Sequence, residues 1–149
     1  MKKLFIPIQI FFILQANAYE INPDIKRNID NFGVPVILSS IAQNEAKRAP
    51  YPLNSEVDLI SVQSKNYKNI NLISYQMRMK KIEKEKTDEK LLKSSIPNSL
   101  KMDANQLCSS PLSEALIKEY AVIYKYFYYD KNMNLLYSYD IDKKVCEQK

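Results

Sequence analysis

From residue 20 onward the apolar positions follow two spacings in turn, and the switch between them outlines the fold. Ile21, Ile25 and Ile29 recur at i, i+4 and i+8, and beyond Gly33 the run Val36, Ile37, Ile41 and Ala42 to Ala46 forms a second amphipathic stretch. This spacing predicts one broken helix or two short ones over 23–48. Pro35 is tolerated in a first helical turn, and Pro50-Tyr51-Pro52 closes the segment as an extended linker. The period then drops to two. In "INLISYQMRM" the residues Ile73, Tyr75, Met77 and Met79 alternate with Leu72, Ser74, Gln76 and Arg78, the pattern of a strand with one buried face. "SEVDLISVQS" before it is mixed in parity, with Val57 and Leu59 on one side and Ile60 and Val62 on the other. The polar "KNYKN" between them predicts an antiparallel hairpin.

A second helical region and a second pair of strands follow. In "EKTDEKLLKSSIPNSLKMDANQL" Thr87 or Asp88 is the expected N-cap and Leu91 and Leu92 the inward residues; Pro97 is expected to break the helix, leaving a second piece over 98–107. Ser110 as N-cap and Pro111 at the first helical position open a further helix with Leu112, Ala115, Leu116 and Ile117 inward. Around "DKNMN" lie two strands. Val122, Tyr124, Tyr126 and Tyr128 share one face of the first while Ile123, Phe127 and Tyr129 share the other, marking it as central. Leu135, Tyr137, Tyr139 and Ile141 oppose Leu136, Ser138 and Asp140 in the second. The expected fold is α+β, in the order α-β-β-α-β-β. It has a four-stranded antiparallel sheet with helices on one face, formed by a single domain over 19–149.

The first residues change the picture of where this domain works. Lys2 and Lys3 precede an apolar run from Leu4 to Leu14, and Ala16-Asn17-Ala18 supplies a small-residue cleavage signal. Residues 1–18 read as a secretory signal peptide, too short an apolar run for a transmembrane anchor. No cysteine stands at residue 19 to carry a lipid. The expected product is therefore a protein of the periplasm, or one released, with no stable membrane anchor. Its formal charge of +5, from 22 basic and 17 acidic side chains, falls to +3 when Lys2 and Lys3 leave. The lysines are interleaved with glutamates, as in "MRMKKIEKEKTDEK", which is a solvated mixed-charge surface rather than a nucleic-acid footprint.

Inventory limits the chemistry further. The chain has no histidine and a single glycine, Gly33. The commonest general base, the Ser-His and Cys-His pairs and the commonest zinc ligand are thus missing, and neither a phosphate-binding glycine loop nor a dinucleotide fingerprint can be written. No cofactor is expected. Asp130, Asp140 and Asp142, with Glu56 and Asp58, fall near strand ends, and two carboxyls suffice for glycoside hydrolysis. Turn chemistry accounts for Asp130 more simply, and Asp140 and Asp142 are expected to face solvent. "DKNMN" lacks the further ligands and the glycine of a calcium loop.

The only two cysteines, Cys108 and Cys146, enclose seven of the eleven tyrosines. In an exported chain this parity predicts a disulfide, tying the start of a helix to the end of the last strand; a reactive thiol pair would show the closer spacing of C-x-x-C. Most of Tyr124, Tyr126, Tyr128, Tyr137 and Tyr139 are expected in the core. Tyr126, Tyr128, Tyr137 and Tyr139 form the candidate binding surface, one face contributing a groove, because tyrosine offers contact area at low entropy cost.

"PLNSEVDLISVQSKNYKNINLISYQMRM" followed by "LCSSPLSEALIKEYAVIYKYFYYDKNMNLLYSYDIDKKVC" resembles a group of small exported bacterial proteins of uncharacterised function. Pro52, Val57, Asp58, Tyr75, Cys108, Leu116, Ile117, Tyr124, Tyr126, Asp130, Leu136, Ile141 and Cys146 carry the likeness. Where that group turns from helix to strand with glycine, this chain has Glu119-Tyr120, so its helix cap must be made differently. A more distant similarity, in compartment, size and layout, is to the pilotins of type II secretion. Neither resemblance brings a catalytic residue. The leading functional reading is a non-enzymatic exported module that binds another envelope or secreted protein. The alternatives are an inhibitor or immunity-like protein of an envelope hydrolase, and a carboxylate hydrolase acting on an envelope polymer through Asp130 or Glu56.

Overall fold

A computed structural model describes residues 19–148, so the leader expected over 1–18 lies outside the described residues. Asn22 opens the first helix, α1 (Pro23–Phe32): its side chain accepts from the backbone N–H groups of Asp24 and Ile25, and proline takes the first helical position. Gly33 ends it at φ +80°, a conformation that suits glycine, and its N–H returns to the Ile29 carbonyl at 2.7 Å. The chain turns at once into α2 (Val34–Ala46), which buries Leu38 and Ala42.

Five strands follow in two groups: β1 (Tyr51–Pro52), β2 (Val57–Tyr67) and β3 (Ile70–Met79), then β4 (Ile123–Tyr129) and β5 (Leu135–Ile141). Between the groups run a short 3₁₀ turn at Lys84–Lys86, α3 (Glu89–Leu107) and α4 (Pro111–Lys118), and α5 (Lys143–Glu147) closes the chain. The strand order is β1-β2-β3-β4-β5. All neighbours are antiparallel except β3 and β4, which are parallel, with Tyr75 opposite Tyr126 and Met77 opposite Tyr128. The α+β class is as expected, but the sheet is five-stranded and mixed rather than four-stranded and antiparallel. The cause is the long connection through α3 and α4, which returns the chain to the starting end of β3, the geometry a parallel pair requires. The fifth strand is the Tyr51–Pro52 linker, which pairs on the edge of β2 where proline's missing N–H does no harm.

Local chemistry explains three further departures. Strands β2 and β3 run on to a two-residue turn, because Lys68 and Asn69 both take positive φ and Asn66 bonds across to Asn71 at 2.7 Å. The mixed parity of β2 is a β-bulge between Leu59 and Ser61, which brings Leu59 and Val62 to the same buried face. Pro97 does not break α3. It lies on the exposed side, so the carbonyl one turn earlier, on exposed Lys93, can be hydrated, while the Ser94 and Ser95 hydroxyls donate to the carbonyls of Leu91 and Leu92.

The core joins Ile29, Leu38, Leu107, Ala115, Leu116 and Ile117 of the helices to Leu59, Val62, Ile73, Met77, Tyr124 and Ile141 of one sheet face. The other face, with Ile123, Phe127 and Tyr129, carries no helix among the described residues and is half-buried. Cys108 and Cys146 are bridged, with Cα atoms 5.5 Å apart. Cys146 lies within α5 and not at the end of a strand, because the Asp142 side chain caps Val145 N–H and starts a last helical turn. The bridge thus joins the α3–α4 corner to α5.

A tyrosine-floored candidate binding cleft

The register of the three last strands stacks tyrosines in rows. Tyr75, Tyr126 and Tyr139 lie side by side across β3, β4 and β5, with ring centroids 5.1 and 5.7 Å apart. In the next row Met77, Tyr128 and Tyr137 are neighbours, the two rings 4.9 Å apart. Rings stacked face to face hide their π-faces against one another and present edges and hydroxyls above the sheet. Helix α2 packs over β2 and β3, and α3 packs over β5. The middle of the sheet lies between them as a cleft of about 580 Å³. Its floor holds Tyr75, Met77, Met79, Tyr126, Tyr128 and Tyr137. One wall is Glu45, Tyr51 and Leu53, and the other is Ser99, Met102, Asp103 and Gln106.

Asp103 anchors the α3 wall. Its Oδ2 accepts from the hydroxyls of Tyr139 at 2.5 Å and Tyr128 at 2.8 Å, and Ser99 meets the Tyr137 hydroxyl at 3.2 Å. Burial pushes the Asp103 carboxyl above its ordinary pKa despite those two phenols, which favour the charged form. Burial, then the charge of Asp103, raises the Tyr126 phenol in turn. On the facing wall the Tyr51 hydroxyl donates to Glu45 at 2.6 Å. The structure therefore places Tyr126, Tyr128 and Tyr137 on the cleft floor and Tyr139 beside it, tied to the wall.

Sequence reasoning missed that wall. Ser99, Met102, Asp103 and Gln106 are spaced i, i+3, i+4 and i+7, one face of the helical piece expected over 98–107, but three of the four are polar and so mark no apolar stripe.

The five carboxylates singled out in the sequence are elsewhere, and none lines the cleft. Asp130 is fully buried, and its two oxygens accept from the backbone N–H groups of Lys84, Asn132 and Asn134 and from the Asn134 amide. Burial alone would raise its pKa, but these donors bring it down to about 2. Asp58 pairs with Arg78 at 2.7 Å, Glu56 with Lys81 at 2.6 Å and Asp140 with Lys125 at 3.3 Å. Asp142 caps α5. Among the described residues there is no metal-binding cluster of His, Cys, Asp and Glu, and no helix is long and apolar enough to cross a membrane.

No protein-family model matches the chain, and no curated protein matches it in sequence. Two solved structures share the fold. A Pseudomonas aeruginosa protein assigned as secreted is 13% identical with a TM-score of 0.55, covering 75% of this chain and 91% of its own. A pilotin, EpsS, of the type 2 secretion system of Vibrio vulnificus is 11% identical with a TM-score of 0.55, covering 84% of this chain and 97% of its own. At such identities the likeness is one of fold.

Proposed function

We propose that this protein is an exported, non-enzymatic accessory module that holds a segment of another envelope or secreted protein in the cleft between α2 and α3. The observation that carries the reading is the cleft itself. Its floor is apolar and aromatic, lined by Met77, Met79 and four tyrosines, and Met102 stands 71% exposed on its rim. Methionine and tyrosine adapt to a partner's shape at small entropic cost, which suits a recognition groove. The leader read over residues 1–18 and the Cys108–Cys146 bridge support export, since such bridges persist in oxidising compartments. The shared fold with a secretion-system pilotin supports a component of a secretion machinery as the partner.

The test is photocrosslinking in the cell envelope with the reactive amino acid placed at Met102 or Leu53 on the cleft rim, or at Ser138 on the helix-free face, and adducts identified by mass spectrometry. The same protein captured from both rim positions and not from Ser138 is the expected outcome. Equal capture from all three positions, or capture from Ser138 alone, would place the interaction elsewhere.

A further inference from the structure

The charge of the cleft is opposite to that of the molecule. The chain has 22 basic against 17 acidic side chains, yet among the described residues the charged ones lining the cleft are Glu45 and Asp103, with no lysine or arginine. Both have an oxygen to spare. Glu45 accepts from Tyr51 through Oε2, and Asp103 accepts both of its tyrosines through Oδ2. Glu45 Oε1 and Asp103 Oδ1 take no hydrogen bond among the described residues.

A second feature is independent of the acids. Tyr126 is only 6% exposed, its side chain lines the cleft, and its hydroxyl makes no hydrogen bond among the described residues. The half-buried Tyr75 beside it, stacked at 5.1 Å, is in the same condition. Among the described residues Tyr124 Oη is the buried side-chain oxygen without a partner, whereas the Tyr126 hydroxyl opens into the cleft and is available there to a group that enters. A phenol O–H can donate to a carbonyl oxygen, which a peptide main chain supplies.

We propose that the cleft selects an apolar peptide segment bearing a lysine or arginine, with the cation held between Glu45 and Asp103 and main-chain carbonyls of the segment accepting from Tyr126 and Tyr75. The inference rests on the cleft being a protein-binding site. It adds that the partner's segment is basic, which is the reverse of what the net positive surface would attract without specificity.

Panning a phage-displayed library of random twelve-residue peptides against the oxidised protein tests both levels. The expected result is enrichment of sequences with a lysine or arginine among apolar residues. A selected peptide, made synthetically, should lose affinity by about tenfold or more when its basic residue becomes norleucine. In the Glu45→Gln/Asp103→Asn protein that preference should fall within about twofold. Tyr126→Phe, which removes a single oxygen and leaves the packing intact, should weaken the peptide by about two- to tenfold, with circular dichroism confirming the fold. Enriched sequences without a basic residue, or a norleucine peptide that binds as well as the lysine one, would overturn the inference while leaving the cleft as a peptide site. If the folded, oxidised protein enriches no sequence, the cleft as a peptide site fails, and the inference with it.

Discussion

Two aspartates show how environment decides what a carboxyl does here. Asp130 is ringed by donors that hold its pKa down to about 2, so the folded state favours the ion more than the unfolded chain does, where the ordinary value is 3.8. Its stabilisation is complete above pH 3.8 and is lost as pH falls toward 2. Asp130→Asn, which turns the Oδ2 acceptor of the Lys84 N–H and the Asn134 side-chain amide into a competing donor, should unfold at lower urea concentration at pH 6. That deficit should shrink as the pH is taken from 3.8 to 2. Asp103 has the opposite sign. Burial raises its pKa, so it favours folding below pH 3.8 and this contribution is lost as pH rises through the elevated folded value. Asp103→Asn keeps an acceptor for Tyr128 and Tyr139 without the buried charge. Urea titrations at pH 4 and pH 8 should therefore show the variant gaining on the parent protein as pH rises. A constant difference would mean that Asp103 carries no buried-charge penalty.

At the scale of elements, Ala121 and Pro97 sit against their own backbone preferences, and both can be relieved. Helix α4 ends in a turn in which Val122 N–H bonds to the Leu116 carbonyl at 3.0 Å and Ala121 takes φ +53°. This is how the chain turns from helix to strand at Glu119-Tyr120 without a glycine. Ala121→Gly should stabilise the protein by about 0.5–1 kcal/mol, the left-handed strain relieved outweighing the added freedom of the unfolded chain. Pro97 in α3 is a larger reserve. Restoring the missing N–H and removing the ring with Pro97→Ala should add about 1–3 kcal/mol, and thermal unfolding followed by circular dichroism would measure both changes.

The same elements show what could be read from the sequence. Strand β3 was legible because Ile73, Tyr75, Met77 and Met79 keep an unbroken period of two. Its partner β2 was ambiguous because one bulged residue reverses the parity of everything after it. The tyrosine floor was legible for the same periodic reason as β3. The wall was not, since Asp103 looks like a solvent-facing residue until the hydroxyls of Tyr128 and Tyr139, on strands far from it in sequence, are brought within bonding distance.

For the whole molecule, the direction of β4 relative to β3 could not be read locally, because it depends on the end of the sheet to which α3 and α4 return the chain. That crossover is also what the disulfide secures. The bridge spans a sequence separation of 38 and fixes the α3–α4 corner to α5, enclosing α4, β4 and β5. Loop closure of that length stabilises by about 4 kcal/mol at most on the chain-entropy account, so Cys108→Ala/Cys146→Ala should lose about 2–4 kcal/mol in urea unfolding. The loss should not be uniform across the fold. Before Ala104, α3 has no fully buried residue, and its earlier turns are held by the partly buried Ile96 and Leu100, by the polar contacts of Ser99 and Asp103 and by the fixed corner. Helix α2 instead buries Leu38 and Ala42 against β2 and lies outside the enclosed loop. Hydrogen exchange on the cysteine-free protein should therefore quicken most at the amides of residues 89–103 and least in α2, opening one wall of the cleft and leaving the other in place. Equal quickening of both helices would mean that the bridge stabilises the fold as a whole and has no particular hold on the cleft.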